Sequence, residues 1–486
     1  MLSCGGKRMS TNSNSAAKER IKALLDADSF VEIGAAVTAR TTDFSMREKK
    51  APSDGVVTGY GQINGRPVYV YSQDPSVLNG TVGEMHAAKI VNLYGLALKT
   101  GDPVIGLIDC AGMRLEEGLD CLHAFGKIYM AQTGASGVIP QITAIFGMCG
   151  GGMALVPALS DFVFMEGTGG RLFFSSPNAL PGNTEESCNT ASAEWQSREA
   201  GTVDKFGTAE EITESIRALI SGLPSNNEDD MSGADTTADP NAILDDLAAC
   251  IDDPVIMLQR ISDDGFVMEA KPYFAEDMVT ALIRLNGYTA GVVANRRVLY
   301  DEEGAVKKEF GTVISADGAK KAARFVTFCD AFSIPLITLT NTTGLASDKD
   351  NERRLADEIA KLTYAFANAN TPKVNLVTGA AFGSSYLVMN SKSVGADIVF
   401  AWEGAKIGMI DARSAAKILC PGGTMQEVGD TASAYDELQN SAASAAARGY
   451  VDTVIDPSET RKYLIGALDM LFTKRELRPD KKHGSV

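Results

Sequence analysis

The sequence predicts an α/β protein built from two tandem domains of the same fold. Three observations lead to this prediction: short apolar runs alternate with helical patterns, the pattern recurs once along the chain, and a polar stretch separates the two copies. Alternation of buried strands with helices is typical of layered α/β domains with a mainly parallel sheet. At 486 residues and 45% apolar content, the chain is long enough for two domains of ordinary size.

Matching residues of the two copies are the same number of residues apart, the number that separates Pro103 from Pro335. We call this number the repeat spacing. Each of these prolines begins an apolar run that ends at a glycine nine residues later. Further along, IPQITAIFGMCGGGMA matches TPKVNLVTGAAFGSSY at the same spacing, so that Gly151 corresponds to Gly383. Four extra residues then precede ADIVFA relative to its counterpart SDFVFM. An internal duplication is the simplest interpretation of these matches.

Helical and strand patterns can be assigned in each copy. Apolar residues at positions 87, 90, 91, 94 and 98 lie on one face of a predicted helix, and the face recurs at positions 319, 322, 323 and 326. The runs PVIGLID, QITAIFG and DFVFM predict strands covered on both sides. The acidic, turn-rich stretch 222–244 predicts a linker or a surface loop. We therefore place the N-terminal domain at residues 1–240 and the C-terminal domain at residues 241–486.

Composition limits the functions that the chain can have. An excess of 62 acidic over 45 basic residues gives a net charge of −17, which argues against a nucleic-acid partner. No apolar run approaches the roughly 20 residues of a membrane span, and the chain start lacks the apolar core of a signal peptide, so we expect a cytoplasmic protein. With only three histidines, no metal site is expected. We expect His86 either to pack within its helix or to touch a ligand.

Three consecutive glycines stand where a predicted strand leads into a predicted helix. Gly150, Gly151 and Gly152 follow QITAIFGMC and precede MALVPALSDF. The first N–H groups of a helix have no partner inside the helix, and the helix dipole favours negative charge there. Without side chains, a ligand oxygen can approach these N–H groups closely. The glycines could instead permit a tight turn or close packing of the helix on the sheet.

The second copy keeps small residues at the same point, namely Gly383, Ser384 and Ser385. A packing requirement explains one such turn better than it explains two. Neither turn has the GxxxxGK[ST] or GxGxxG pattern of nucleotide-binding loops. Two oxyanion sites with few acid–base side chains favour a reaction that forms an enolate and takes its base from another reactant. A preorganised donor is typically worth about 3 kcal/mol in such a site.

Taken as a whole, the chain resembles the carboxyltransferase subunits of biotin-dependent acyl-CoA carboxylases and decarboxylases, such as propionyl-CoA carboxylase beta chains and methylmalonyl-CoA decarboxylase alpha chains. The resemblance rests on stretches that include SDGVVTGYGQINGRPVYVYSQD, GTVGEMHAAKI, KAARFVTFCDAFSIP and ARGYVDTVIDPSETR. It implies two crotonase-like domains of the ClpP/crotonase superfamily and a hexamer built as a trimer of dimers.

The resemblance also implies a reaction. Carboxybiotin would release CO2, its freed ureido nitrogen would remove the α-proton of a short-chain acyl-CoA, either propionyl-CoA or acetyl-CoA, and the resulting enolate would capture the CO2. In the reverse direction, methylmalonyl-CoA or malonyl-CoA would give its carboxyl group to biotin. No AMKM-type biotinylation motif occurs in the chain. Biotin is therefore expected on a separate biotin carboxyl carrier protein. The further partner would be a biotin carboxylase or a membrane decarboxylase subunit.

By the same resemblance, the N–H groups of Gly151 and Gly152 would hold the thioester enolate oxygen. Those of Ser384 and Ser385 would hold the biotin ureido oxygen.

The resemblance also implies substrate-binding positions beside these donors, which are Gly150, Gly383, Tyr386 and Leu387. Leu387 stands where the family more often has aspartate, and it would help to shape the acyl pocket.

Two other functions stay open from the residues. A crotonase-type acyl-CoA hydratase, isomerase or hydrolase would share the fold and the thioester oxyanion site. It would ordinarily add acidic catalysts, and it would leave the second turn without a role. A non-catalytic scaffold subunit would keep the fold and bind partners without turnover.

Overall fold

The computed structural model describes residues 15–40, 51–229, 236–301 and 303–476. The chain divides into two compact units, Met1–Glu228 and Asp229–Val486. Within the predicted linker, residues 223–229 and 236–244 form neither helix nor strand, and residues 230–235 lie outside the described part. In the described ranges, no helix combines the length and the apolar character needed to cross a bilayer.

The N-terminal unit contains an eight-stranded sheet. Its strands are β1 (Val31–Ile33), β2 (Val56–Ile63), β3 (Arg66–Gln73), β4 (Val104–Cys110), β5 (Gln141–Gly150), β6 (Phe162–Glu166), β7 (Arg171–Phe173) and β8 (Lys205–Gly207). They are ordered β1-β2-β3-β4-β5-β6-β8, and β7 pairs with the C-terminal end of β5. The pairs within β1–β3 are antiparallel and the others are parallel. The sheet is mainly parallel, as the sequence predicts.

The described residues of this unit form six helices, namely α1 (Ala16–Leu24), α2 (Glu84–Thr100), α3 (Leu119–Ala135), α4 (Leu155–Ala158), α5 (Ala193–Arg198) and α6 (Ala209–Gly222). Side chains of α2, α3 and β3–β6 form the core of the unit. On α2 the predicted positions 87, 90 and 94 are buried, but Leu98 is exposed. The buried stripe shifts to Leu93 and Ala97 instead, so the predicted face was wrong at its last position.

The C-terminal unit contains a second eight-stranded sheet and two small two-stranded sheets. The strands are β9 (Val267–Ala270), β10 (Met278–Leu285), β11 (Tyr288–Asn295), β12 (Val298–Tyr300), β13 (Val306–Glu309), β14 (Val313–Ile314), β15 (Leu336–Thr342), β16 (Gly344–Leu345), β17 (Lys373–Phe382), β18 (Ile398–Trp402), β19 (Lys406–Gly408) and β20 (Thr453–Ile455). The large sheet is ordered β9-β10-β11-β15-β17-β18-β20, and β19 pairs with β17. The small sheets are β12–β13 and β14–β16.

The helices of this unit are α7 (Pro254–Ile261), α8 (Ala316–Ala331), α9 (Lys349–Glu352), α10 (Leu355–Asn368), α11 (Gly383–Val388), α12 (Ala412–Leu419), α13 (Met425–Tyr435), α14 (Ala442–Ala447) and α15 (Thr460–Leu471). All four predicted core positions of α8, residues 319, 322, 323 and 326, are buried.

The two large sheets have the same topology. β4 and β15 have equal lengths and their first residues are separated by the repeat spacing, and the same holds for β5 and β17. The β2–β3 and β10–β11 hairpins both turn on an Asn-Gly pair with positive φ at both residues, Asn64-Gly65 and Asn286-Gly287. Such pairs favour the type I′ turn of two-residue hairpins. This correspondence is what an internal duplication predicts.

Candidate active site

In the N-terminal unit, the glycine turn joins β5 directly to a helical segment. Gly150 ends the strand with extended backbone, at φ −112° and ψ 156°. Gly151 then has φ +59°, a left-handed value that residues with side chains rarely adopt. It begins a short 3₁₀ turn, Gly151–Ala154, that continues into α4. Because the first N–H groups of such a turn have no partner within it, they are available to an acceptor.

The three glycines differ in what surrounds them. A Cβ on Gly151 would meet no atom within 4 Å from more distant residues in the part of the chain that the structure describes, so the space beside it is open there. A Cβ on Gly150 would lie 2.9 Å from the Phe173 ring, and one on Gly152 would lie 3.0 Å from the Tyr129 hydroxyl. Gly150 and Gly152 therefore also serve the packing role that the sequence left open. The Tyr129 hydroxyl donates to the Gly152 carbonyl at 2.6 Å and holds that peptide in place.

The C-terminal turn has the same backbone form. Phe382 ends β17 with φ −118° and ψ 140°, and Gly383 has φ +59° at the first residue of α11. Ser384 is exposed, whereas Ser385 is buried. The Ser385 hydroxyl donates back to the Phe382 carbonyl at 2.8 Å. Its side chain is therefore used within the turn, and its contribution to a site would come from the main chain.

The two residues after these serines face different surroundings. Tyr386 packs against buried apolar side chains of its unit, and burial raises the pKa of its hydroxyl. Leu387 is 43% exposed, so a large part of its surface is not covered by this unit. At the repeat spacing, Gly152 corresponds to Ser384. The N–H donors predicted in the C-terminal turn, Ser384 and Ser385, therefore lie one residue further along the chain than the counterparts of Gly151 and Gly152.

His86 lies buried near the start of α2, with both ring nitrogens in hydrogen bonds. Its Nδ1 is 2.9 Å from the carbonyl oxygen of Asp54, which can only accept, so Nδ1 carries the proton. Its Nε2 then accepts from the side-chain amide of Gln73 at 3.1 Å. Burial lowers the pKa of His86 to about 3. Of the two roles considered for His86, these contacts support packing.

A buried ionic cluster holds the start of α2. The Arg114 guanidinium lies 2.6 Å from Asp54 and 2.8 Å from Glu117. The same carboxylates accept N–H groups of the first turn of α2, from Glu84 at 2.6 Å and from His86 at 2.7 Å. Desolvation raises the pKa of Asp54 despite this pairing. Since both carboxylates are engaged by Arg114 and by the helix, the cluster anchors α2 and does not supply a free acid or base.

Sequence reasoning missed a pair of polar residues beside the turns. Asp109 in β4 and Asn341 in β15 each accept a hydrogen bond from the strand that carries the glycine turn. A signal for them was present, because Asp109 ends an apolar run in the first copy and Asn341 corresponds to it at the repeat spacing.

The fold is that of the crotonase-like carboxyltransferases. A crystal structure of transcarboxylase 12S matches with a TM-score of 0.90 and 36% identity, over 96% of this chain and 92% of that one. The structure is described as a hexamer assembly with hydrolysed methylmalonyl-coenzyme A bound. Residues 10–486 match the carboxyl transferase domain family, and the chain belongs to this family.

Relatives of known name cover nearly the whole chain. The methylmalonyl-CoA decarboxylase subunit alpha of Veillonella parvula is 36% identical over 97% of this chain and 92% of its own length. The propionyl-CoA carboxylase beta chain of Roseobacter denitrificans is 37% identical over 97% of this chain and 93% of its own length. The resemblance found in the sequence is thereby confirmed, and the chain is an enzyme of the carboxyltransferase class.

Proposed function

We propose that this enzyme transfers a carboxyl group between biotin, carried on a separate protein, and a short-chain acyl-CoA. The acyl-CoA would be of the propionyl-CoA/methylmalonyl-CoA or acetyl-CoA/malonyl-CoA type. The observation that carries the proposal is the pair of strand-to-helix turns at Gly151 and Gly383. Both glycines have the same positive φ, and the chain belongs to the carboxyl transferase family. The names of the relatives and the methylmalonyl-coenzyme A in the transcarboxylase structure support the choice of substrate.

The turn in the N-terminal unit would act on the thioester. Loss of the α-proton moves negative charge onto the thioester oxygen, and the N–H groups of Gly151 and Gly152 would donate to that oxygen. Donors that are already in place stabilise the charge without reorganisation, which is typically worth about 3 kcal/mol for each donor. Main-chain donors do not titrate, so this stabilisation would be independent of pH.

The turn in the C-terminal unit would hold biotin by its ureido oxygen, through the N–H groups of Ser384 and Ser385. The segment Gly383–Val388 carries no ionic side chain, which suits a neutral urea group. Bound there, biotin would supply both the carboxyl group and, at its ureido nitrogen, the base. Residues 150–154 and 383–388 contain no carboxylate, histidine or lysine that would compete for that role.

The relatives support a proposal for assembly and partners. The transcarboxylase relative is a hexamer, and two other relatives are named as subunits of larger enzymes. We extend this to a homo-hexamer built as a trimer of dimers, in the cytoplasm, that receives biotin from a biotin carboxyl carrier protein. A biotin carboxylase or a membrane decarboxylase subunit would complete the system.

A direct assay tests the proposal. The purified full chain is incubated with methylmalonyl-CoA or malonyl-CoA, with and without free biotin, and propionyl-CoA or acetyl-CoA is measured by chromatography. We expect product only when biotin is present. Hydration of an enoyl-CoA, or release of CoA without biotin, would instead indicate a hydratase or hydrolase. Binding of a carrier protein without any turnover would indicate a scaffold subunit.

A further inference from the structure

Both strands that lead into the glycine turns have the same irregularity. In each unit, two successive residue pairs of the ladder lie four residues apart on the strand that leads into the turn. On the neighbouring strand, β4 or β15, the same two pairs lie only two residues apart. The pairs on either side are Ile108–Ile145 and Cys110–Cys149 in the N-terminal unit, and Thr340–Val377 and Thr342–Ala381 in the C-terminal unit. Residues 146–148 and 378–380 are therefore displaced from the regular ladder just before each turn.

Asp109 holds the displaced segment in the N-terminal unit. Its carboxylate accepts the Met148 N–H at 3.4 Å, and its own N–H donates to the Gln73 side chain at 3.2 Å. A Cβ at Gly147 would clash with this carboxylate, so glycine there is what lets the strand approach Asp109. Arg20 pairs with Asp109 at 2.7 Å and balances its charge.

Asn341 occupies the same place in the C-terminal unit. Its side-chain oxygen accepts the Ala380 N–H at 3.0 Å, and its own N–H donates to the Asn295 side chain at 2.9 Å. A Cβ at Gly379 would clash with the Asn341 amide. Asn341 carries no charge. The feature common to both units is therefore a side-chain acceptor of fixed position, since the carboxylate of one unit is a carboxamide in the other.

We propose that Asp109 and Asn341 are positioning residues for the two glycine turns. Each fixes the displaced segment three residues before its glycine, Gly151 or Gly383, and so sets the direction in which the strand enters the turn. That direction determines where the N–H groups of the turn point. The catalytic consequence rests on the proposed function, because only that function assigns one turn to the acyl-CoA and the other to biotin. The structural consequence does not depend on it.

The test compares alanine and amide variants with a matched control. Asp109→Ala removes the acceptor, and Asp109→Asn replaces it with the group that the other unit uses. Asp161→Ala is the control, because the Asp161 carboxylate accepts the N–H of Gln141, the first residue of the same strand, at 2.8 Å. That bond is of the same kind but lies at the end of β5 away from the turn.

Kinetics give the first readout. We expect Asp109→Ala to lower kcat/KM for the acyl-CoA by about tenfold or more, since displacements of about 1 Å can cost up to about 100-fold in rate. The KM for free biotin should stay unchanged. Asn341→Ala should show the reverse, with the loss on the biotin side. Asp109→Asn should restore activity to within about threefold of wild type, and Asp161→Ala should keep both KM values. A KM for free biotin that rises in Asp109→Ala by as much as kcat/KM for the acyl-CoA falls, or no rescue by asparagine, would overturn the proposal.

Hydrogen exchange followed by mass spectrometry gives a second readout that needs no activity. In Asp109→Ala, peptides starting at residue 149 should exchange their turn amides about tenfold faster or more than in Asp161→Ala, because the turn loses its support. In Asn341→Ala the change should appear after residue 380 instead. Unchanged exchange at both turns would overturn the positioning role. If the wild-type enzyme shows no biotin-dependent turnover, the proposed function fails, while the exchange result still decides the positioning role.

Discussion

Gly151 and Gly383 have the same φ of +59°, although they lie in different units and are separated by the full repeat spacing. Each is the first residue after a ten-residue strand, and each begins a helical segment. A left-handed φ costs a residue with a side chain roughly 1–2 kcal/mol. The backbone therefore favours glycine at both positions whatever their N–H groups bind, and variants can separate this backbone preference from the role of the N–H groups.

At Gly151, alanine and proline should have different effects. Among the described residues, no atom beyond the neighbouring backbone lies within 4 Å of a Cβ there, so Gly151→Ala should fold and assemble with only the backbone strain of about 1–2 kcal/mol. Gly151→Pro should abolish carboxyl transfer, because proline has no N–H and fixes φ near −65°. Gly65→Ala is the control, since Gly65 also has positive φ and open space but lies in a hairpin. A Gly151→Pro enzyme that assembles and transfers carboxyl groups normally would remove Gly151 from the mechanism.

Ser385→Ala should leave carboxyl transfer within about threefold of wild type, because alanine keeps the main-chain donor. The hydroxyl that is removed donates only to the Phe382 carbonyl among the bonds seen for it. Steady-state rates with free biotin measure the effect, with Ser384→Ala as the exposed neighbour for comparison. A loss of about 100-fold or more, the size of one catalytic hydrogen bond, would mean that the hydroxyl itself takes part.

Leu387 should influence the choice of acyl group. One methylene in an apolar pocket is worth roughly 1–3 kcal/mol, or about 10- to 200-fold in specificity. Leu387→Asp should therefore change the ratio of kcat/KM for propionyl-CoA over acetyl-CoA by at least about tenfold. Because this side chain is 43% exposed, an aspartate there can be hydrated and should not unfold the unit.

Thermal melting and a volume-conserving variant control this experiment. Leu387→Met should retain both the melting temperature and the acyl preference. A Leu387→Asp enzyme with normal melting and unchanged acyl preference would disprove the selectivity role. Loss of assembly in that variant would instead show that Leu387 is needed for packing in the oligomer.

Acid should destabilise the fold through His86. Its pKa is about 3 in the folded chain against 6.5 for an ordinary histidine, so the unfolded chain binds more protons between these values. The stability that His86 contributes is present above pH 6.5 and declines as the pH falls toward 3, by up to about 1.4 kcal/mol per pH unit.

The comparison of two histidine variants checks this. His86→Gln should melt at a lower temperature than wild type at pH 7, and the gap should narrow steadily as the pH is lowered to 4. His123→Gln replaces an exposed histidine and should follow the wild-type pH dependence. A gap for His86→Gln that stays constant over this range would contradict the assignment of a neutral, buried ring.

Much of the candidate site could be found without coordinates, and the rest could not. Gly151 and Gly383 were recognisable because small residues recur at a fixed spacing at a strand-to-helix boundary. The positive φ at these residues, and the open space beside Gly151, needed the structure. The sequence does not show what the Ser385 hydroxyl contacts, whereas the structure shows that it donates to the carbonyl of the last residue of the preceding strand at 2.8 Å. A side-chain rotamer of this kind depends on neighbours and not on the residue type.

The sequence by itself determined the α/β class, the mainly parallel sheet, the internal repeat and the resemblance to the family. These properties depend on periodicity and spacing along the chain, which are local and survive divergence. Only the tertiary structure decided that Asp109 and Asn341 receive the strand before each turn, and that His86 is enclosed by Asp54 and Gln73. Such contacts join residues that are far apart in the chain, and the partner of a polar group is chosen by which segments pack together when water is excluded.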